Sequence, residues 1–174
     1  MQISRKDIGY ALYSRLEEAL RYWLRDKILN LFGDDWQSHV PTGICSKVEE
    51  NNSKYSTDQI DDPLNFLVET DIPDLMEIMC YRNAFYQYIP RETMRVEDFR
   101  DRMLKLYDLR NRIAHVKLNF TAIDLDLLSE ITKLLLPVVG AFGNEVRDAL
   151  QCVNTGEFQD RCRNGCSSQF SNGG

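Results

Sequence analysis

The sequence predicts an all-α protein, folded as an antiparallel helical bundle of four to five main helices. Apolar residues recur at intervals of three and four over several long segments, which is the period of one helix face. These segments begin at Ser, Asp or Thr residues that are suited to cap a helix. The alternation typical of strands is missing, and only the short stretches around Ile44 and Val116 leave room for one.

The first segment predicts a single long amphipathic helix. Ser4 can cap it, Asp7 can supply the acid of a capping box, and Gly33 suits the left-handed conformation at its end. Its apolar face comprises Ile8, Leu12, Leu16, Leu20, Trp23, Leu24, Ile28 and Leu31.

Further helices follow from the same criteria at residues 63–68, 71 to about 88, 96 to about 115, and 121 onward. Asp71 and Thr121 can cap the second and fourth of these. Pro137 falls inside the last pattern, so we expect a kink or a break there, followed by helical residues to Leu150.

The chain length of 174 residues suits one domain with a real core. We expect a single helical domain over residues 1–153 and a flexible polar tail over 154–174, which is rich in Gly, Ser, Asn and Gln. A loop is expected at about 42–62, because polar residues are dense there and apolar periodicity is absent. A short helix over Val48 stays open as an alternative.

The distribution of charge singles out one segment. The net charge of −6 gives no general attraction to nucleic acid or to an anionic membrane. Residues 100–117, however, carry six basic and two acidic side chains, a net charge of +4. This segment is either a solvated helix face or a local binding surface.

Five cysteines and two histidines offer little for a metal centre. Cys162 and Cys166 lie in the polar tail with no histidine nearby, so we expect no metal and no cofactor. No signal-peptide pattern is visible, and the longest apolar run, 134–142, is too short to span a bilayer. We therefore expect a reduced, cytoplasmic protein that does not associate with membranes.

The basic segment contains a cation, an amide and an imidazole at one helix end. Counted at 100° per residue from Val96, Arg110 falls in the middle of the apolar arc, so burial would require an anionic or carbonyl partner. Asn111 and His115 are four residues apart and share the neighbouring face. Arg82 also falls near an apolar face, either as a buried stem with an exposed head or as a second phosphate-binding cation.

The pattern Arg110-Asn111-x-x-x-His115 resembles the signature of the HEPN superfamily, over about residues 70–137 and, more loosely, 4–36. The resemblance implies a helical bundle that dimerises through the motif helices. Many proteins of this type are metal-independent ribonucleases whose site forms where two copies of the motif meet. Some carry a tyrosine two residues after the histidine as a target for nucleotide modification, but here that position is Lys117.

We therefore predict a metal-independent endoribonuclease of a toxin or defence type, a homodimer that cleaves single-stranded RNA and has an antitoxin or a larger assembly as partner. Arg110, Asn111 and His115 would be catalytic. The side chains predicted to contact RNA are Arg82, Arg102, Lys105, Arg112 and Lys117.

Two alternatives stay open. The chain could be a non-catalytic HEPN-like module that binds RNA, nucleotide or a protein partner. The motif could also be only structural, with Arg110 paired to Asp108 or Glu130 and His115 capping the helix.

Overall fold

The computed structural model describes residues 4–55, 61–115 and 117–155, and these ranges are helical with short connections and no strand. The predicted all-α class is therefore confirmed. In chain order the α-helices are α1 (Arg5–Phe32), α2 (Thr42–Tyr55), α3 (Pro63–Leu67), α4 (Ile72–Cys80), α5 (Phe85–Tyr88), α6 (Val96–Ala114), α7 (Ala122–Val139) and α8 (Asn144–Thr155). Short 3₁₀ segments cover Gly33–His39, Tyr81–Asn83 and Gly140–Gly143.

Helix α1 is the element against which much of the fold packs. Its predicted capping box is confirmed, because Ser4 accepts a hydrogen bond from the Asp7 amide and the Asp7 carboxylate accepts one from the Ser4 amide. It ends at Gly33, whose φ of 53° favours glycine. Helices α3, α6, α7 and α8 all contact α1. Leu12, Leu16 and Leu24 of α1 are among the most completely buried side chains.

The loop predicted at about 42–62 is wrong over residues 42–55, which form α2. Ile44 and Val48 lie one helical turn apart, and both are buried, so two apolar side chains suffice to dock this polar helix. The strand considered around Ile44 is wrong for the same reason. Lys47 adds a tie to the start of α4, where its ammonium group contacts the carboxylates of Asp71 and Asp74.

The helix predicted from 71 to about 88 is interrupted after Cys80. Arg82 and Asn83 have φ values of 49° and 62°, so the backbone leaves the right-handed helix before resuming as α5. Helical spacing of apolar residues continues across this turn, and for that reason the sequence pattern conceals it.

Helix α7 runs through Pro137 and ends two residues later at Val139, so the expected break comes after the proline instead of at it. Gly140, with a φ of 55°, is the C-cap residue. The helical continuation to Leu150 is confirmed by α8, which extends to Thr155 and takes in the first two residues of the predicted tail. The remainder of that tail lies outside the described residues.

The buried side chains of these helices pack into one hydrophobic core. This core includes Phe99, Met103 and Leu106 from α6 and Leu128 and Leu135 from α7. Apolar packing therefore anchors both α6, which carries the motif, and α7, which follows it. None of the helices in the described ranges combines the length and the apolar character that crossing a membrane requires.

Candidate functional site

The motif residues lie in the last turns of α6 and at its end. The helix follows its predicted course from Val96 to Ala114. His115 is the C-cap residue, and its amide donates to the Asn111 carbonyl oxygen at 3.0 Å. The His115 side chain is exposed, whereas Asn111 is half-buried.

Arg110 is exposed, so its predicted burial within the apolar arc is wrong. The arc is buried at Phe99, Met103 and Leu106, and Leu109 continues the buried surface. A helical arc is buried only where neighbouring elements cover it, and this cover does not extend over Arg110. Its Nη1 atom donates to Asn111 Oδ1 at 3.3 Å, which makes the two polar side chains one group.

The charge of Arg110 is not neutralised within the structure. In the described ranges, Arg110 forms no ion pair with a carboxylate. The partners proposed for it are engaged elsewhere, since Asp108 contacts Arg112 at 3.0 Å and Glu130 contacts Lys133 at 2.8 Å. The structural alternative for Arg110 is therefore wrong in this respect.

Arg112, in contrast, is held by two carboxylates. Besides Asp108, its guanidinium contacts Asp124 Oδ1 at 3.4 Å. The Asp124 side chain is only 10% exposed, and it also accepts hydrogen bonds from the Thr121 amide and hydroxyl in the capping box of α7. We therefore assign Arg112 to the joint between α6 and α7, and its contact with RNA stays a prediction.

The first turns of α1 support the end of α6. Lys6 Nζ donates to the backbone carbonyl oxygen of His115 at 2.8 Å. One turn on, a β-carbon placed at Gly9 would lie 2.6 Å from a Phe120 ring atom and 3.4 Å from the Ile113 δ-carbon. The glycine thus admits one side chain from within the motif and one from the segment that follows it, so α1 fixes where the chain leaves α6.

Tyr13 continues the same face of α1 toward Arg110. Its buried hydroxyl is hydrogen-bonded to Glu17 at 3.0 Å, and Glu17 contacts Arg21 at 3.1 Å. Burial and the neighbouring Glu17 carboxylate raise the pKa of Tyr13, while the charge of Arg110 opposes the rise. Sequence reasoning missed Lys6, Gly9 and Tyr13, although their spacing of three and four places them on one helix face.

The remaining predicted RNA contacts are dispersed along α6 and beyond it. Lys117 is exposed just after the motif, and Arg102 is half-buried earlier in α6. Lys105 is exposed and paired with Asp101 at 2.8 Å, an exposed pair of the kind that contributes little to stability. These side chains remain available to contact the phosphate backbone of RNA. Lys117 is adjacent to the motif in the chain.

Arg82 lies far from the motif within one chain. It is exposed over the ring of Tyr81, 5.0 Å from the centroid, and it lines a small cavity with Phe32 at the end of α1. The motif contacts Lys6, which lies at the opposite end of α1. Lys6 precedes Phe32 by 26 positions, which corresponds to about 39 Å of helix. Within one chain, Arg82 therefore does not join the motif residues, and its contact with RNA stays a prediction.

No group of three or more His, Cys, Asp or Glu side chains in the described part of the chain is arranged to hold a metal ion. Cys162 and Cys166 lie outside that part. The motif end of α6 does combine an uncompensated guanidinium, an amide and an exposed imidazole, which are groups suited to bind and polarise a phosphate diester. Comparisons of the chain with protein-family models, with curated proteins and with solved structures give no match.

Proposed function

We propose that this protein is a metal-independent endoribonuclease that cleaves single-stranded RNA at a site built from Arg110, Asn111 and His115. The observation that carries the proposal is the state of Arg110. Its guanidinium is exposed beside Asn111 and pairs with no carboxylate of the described residues, while Arg112, two residues on, contacts two carboxylates. An uncompensated cation next to an exposed histidine is suited to an anionic substrate.

The chemistry requires a base, an acid and a stabilising cation. A base removes the proton of the RNA 2′-hydroxyl, and the oxygen attacks the adjacent phosphorus to form a 2′,3′-cyclic phosphate. The bond from phosphorus to the 5′-oxygen breaks, and an acid returns a proton to that oxygen. Arg110 would bind the phosphoryl oxygens as negative charge develops on them, and Asn111 would hold Arg110 in place.

One chain supplies one histidine to this site, so the proposal includes a homodimer in which the helical bundle pairs through the motif ends. Two copies of His115 then serve as base and acid. A stripe on α7 that is apolar except for Glu130 supports self-association, because Ile123, Leu127 and Leu134 lie on one face and are 78%, 37% and 45% exposed. Since α7 begins seven residues after His115, the stripe adjoins the motif in the chain.

The test of cleavage is an assay on a mixed RNA pool in EDTA with analysis of the product ends. We expect cyclic-phosphate products from the wild type and a loss of at least about a hundredfold in His115→Ala and in Arg110→Ala. Lys27→Ala, a charge removal on α1 outside the motif, is the matched control. Cleavage by both motif variants at the wild-type rate would contradict the proposal.

The test of the dimer uses Leu127→Glu, with Val68→Glu as the control because Val68, the C-cap residue of α3, is 53% exposed. We expect Leu127→Glu to be a folded monomer by light scattering and to lose cleavage, while Val68→Glu stays dimeric and active. A fully active monomer would show that one chain suffices. A toxin or defence role further predicts that expression slows cell growth in a His115-dependent manner.

A second candidate is a non-catalytic module that binds RNA, nucleotide or a protein partner. It is favoured by one observation: the imidazole of His115 is not hydrogen-bonded to any described residue, whereas catalytic histidines are usually oriented by a partner. This candidate predicts RNA binding that depends on Arg110 but yields no product from the folded dimer.

A further inference from the structure

A cavity of about 520 Å³ lies at the opposite end of α6 from the motif. It is bounded by the end of α4, the Tyr81–Asn83 turn, α5 and the first turns of α6. Its chemically distinctive lining residues are Cys80, Asn83, Tyr86, Arg91, Glu97 and Arg100.

A stacked cation forms one wall of this cavity. The Arg91 guanidinium lies over the Tyr86 ring at 4.5 Å from the centroid. The Tyr86 hydroxyl in turn accepts a hydrogen bond from the Val96 amide at 3.4 Å, which ties the ring to the start of α6. A guanidinium is planar and cationic, and nucleobases stack on guanidinium planes as they do on aromatic rings.

The positive charge in the cavity exceeds the negative charge. Arg91 and Arg100 are both exposed, and in the described ranges neither forms an ion pair with a carboxylate. Glu97 is the acid in the lining, so the cavity has two cations against one anion. Arg95, just outside the lining, is instead held by Asp98 with contacts of 2.8 and 3.1 Å. The Arg100 guanidinium is hydrogen-bonded to Cys80 but is not paired with a described carboxylate, so it can bind an anion in a chain that is acidic overall.

The backbone places an amide at the same cavity. Asn83 has a φ of 62° and follows Arg82 at 49°, a left-handed pair in a conformation that non-glycine residues rarely adopt. Asparagine tolerates this conformation better than most residues. Its side chain carries both donors and an acceptor, which is what reading the edge of a base requires.

We infer that this cavity binds a nucleoside monophosphate unit, with the base stacked on Arg91 and the phosphate held by Arg100. Such a unit has two sources of the same chemistry, a free nucleotide or one nucleotide of an RNA strand. Arg100 and His115 are 15 positions apart, which corresponds to about 22 Å along α6. An RNA strand bound at both Arg100 and His115 would rest on the proposed function. Nucleotide binding in the cavity does not depend on cleavage.

The test measures binding of 5′-AMP, adenosine and inorganic phosphate by titration calorimetry. We expect AMP to bind at least about tenfold more tightly than either adenosine or phosphate, since it engages both Arg91 and Arg100. Arg91→Ala and Arg100→Ala should each weaken AMP binding by about tenfold or more. Arg95→Ala removes the same charge next to the cavity and should leave AMP affinity within about twofold of wild type.

A chemical footprint locates the bound nucleotide. Cys80 lines the cavity and is partly exposed, whereas Cys45 is partly exposed in α2 and serves as an internal control. We expect AMP to slow iodoacetamide labelling of Cys80 but not of Cys45. The inference is overturned if AMP binds no better than phosphate, or if neither arginine variant weakens its binding in a folded protein.

Two further measurements separate the sources and the two proposals. A nuclease-resistant 2′-O-methyl oligonucleotide of eight residues displaces AMP if the cavity holds part of a strand, and leaves AMP bound if the ligand is a free nucleotide. In His115→Ala, AMP affinity should equal that of wild type. Nucleotide binding without cleavage would therefore contradict the proposed function alone, and cleavage without nucleotide binding would contradict this inference alone.

Discussion

Gly9 of α1 and Phe120, which follows the motif, form a contact that requires the absence of a β-carbon. Two Phe120 ring atoms lie 2.6 and 2.7 Å from the position that a β-carbon at Gly9 would occupy, closer than real β-carbons come to other atoms. Phe120 is buried, so its ring has little freedom to withdraw. The glycine therefore sets how closely the segment after His115 approaches α1.

Gly9→Ala should destabilise the protein although alanine is the better helix former. The gain in helix propensity is about 1 kcal/mol, while forcing a methyl group against a packed ring costs about 1–3 kcal/mol. We expect a net loss of about 1 kcal/mol in the free energy of unfolding, measured by urea denaturation. Displacement of Phe120 should also lower cleavage.

Gly43→Ala is the matched control, because Gly43 lies in α2 with nothing within 4 Å of its β-carbon position. It should not lower stability. If Gly9→Ala were as stable as Gly43→Ala, the contact with Phe120 would not be the constraint that the geometry indicates.

Lys6 should act as a positioning residue for the motif. Its ammonium group bonds the His115 carbonyl oxygen at 2.8 Å and thereby fixes the backbone that carries the imidazole. Lys6→Met should lower kcat about three- to tenfold with little change in KM, because the lost interaction is of the order of one incompletely buried hydrogen bond. Lys6→Arg should restore most of the rate.

The matched control for Lys6 is Lys27→Met, the same change near the other end of α1. Both variants should unfold within about 0.5 kcal/mol of wild type, since each replaces one incompletely buried side chain. If Lys6→Met instead raised KM without lowering kcat, Lys6 would be assigned to substrate binding.

Local signals in the sequence were sufficient wherever the structure is decided within one or two turns. The capping boxes at Ser4, Asp71 and Thr121 each need only an acid three residues later, and all three are present. The C-cap glycine Gly33 likewise follows from its freedom to adopt positive φ. Residues that satisfy the backbone at helix ends are therefore readable from the sequence.

The errors come from tertiary contacts and from backbone conformation. Burial of Arg110 depends on which helix covers α6 at that turn, and no periodicity states this. The turn at Arg82 is hidden because non-glycine residues adopt its left-handed conformation there. Helix α2 bears out the helix over Val48 that stayed open as an alternative; the sequence pattern favoured a loop because only two buried side chains, Ile44 and Val48, dock it. The motif could be found from the local sequence. The support that Lys6 and Gly9 give it could not, because it depends on contacts between segments that are far apart in the chain.

Arg112 and Lys117 should separate stability from RNA binding. Arg112→Ala removes a partner of the nearly buried Asp124, so we expect a loss of about 1 kcal/mol in the free energy of unfolding and little change in RNA affinity. Lys117→Ala removes an exposed charge next to the motif, so we expect unchanged stability and weaker binding.

The binding measurement uses filter retention of single-stranded RNA over a salt series, in a His115→Ala background that prevents cleavage. Lys117→Ala should reduce the slope of log affinity against log salt by about 0.7, the value for one phosphate contact to a single strand. An equal effect of Arg112→Ala on this slope would contradict its assignment to the joint between α6 and α7.

Asp62 should make stability depend on pH in the acid range. Hydrogen bonds from Arg25 and from the Leu64 amide lower the pKa of this carboxyl group. Because the pKa in the folded state lies below the unfolded value of about 3.9, the contribution is complete above that value and is lost as pH falls through the folded pKa. The pair is partly exposed, with side chains 38% and 43% accessible, so solvent screening limits it to less than about 1 kcal/mol.

Asp62→Asn isolates this charge, because asparagine also caps a helix well and can still accept a hydrogen bond from the Leu64 amide, which Asp62 accepts at 2.7 Å. Urea denaturation from about pH 7 to pH 3 should show the variant less stable than wild type at neutral pH, with the difference shrinking toward acid. Asp61→Asn removes one carboxylate charge at the preceding residue, which is not the partner of Arg25. Its stability should therefore differ less from that of wild type at neutral pH. A gap between Asp62→Asn and wild type that stayed constant across this range would show that geometry, and not the charge of Asp62, stabilises the start of α3.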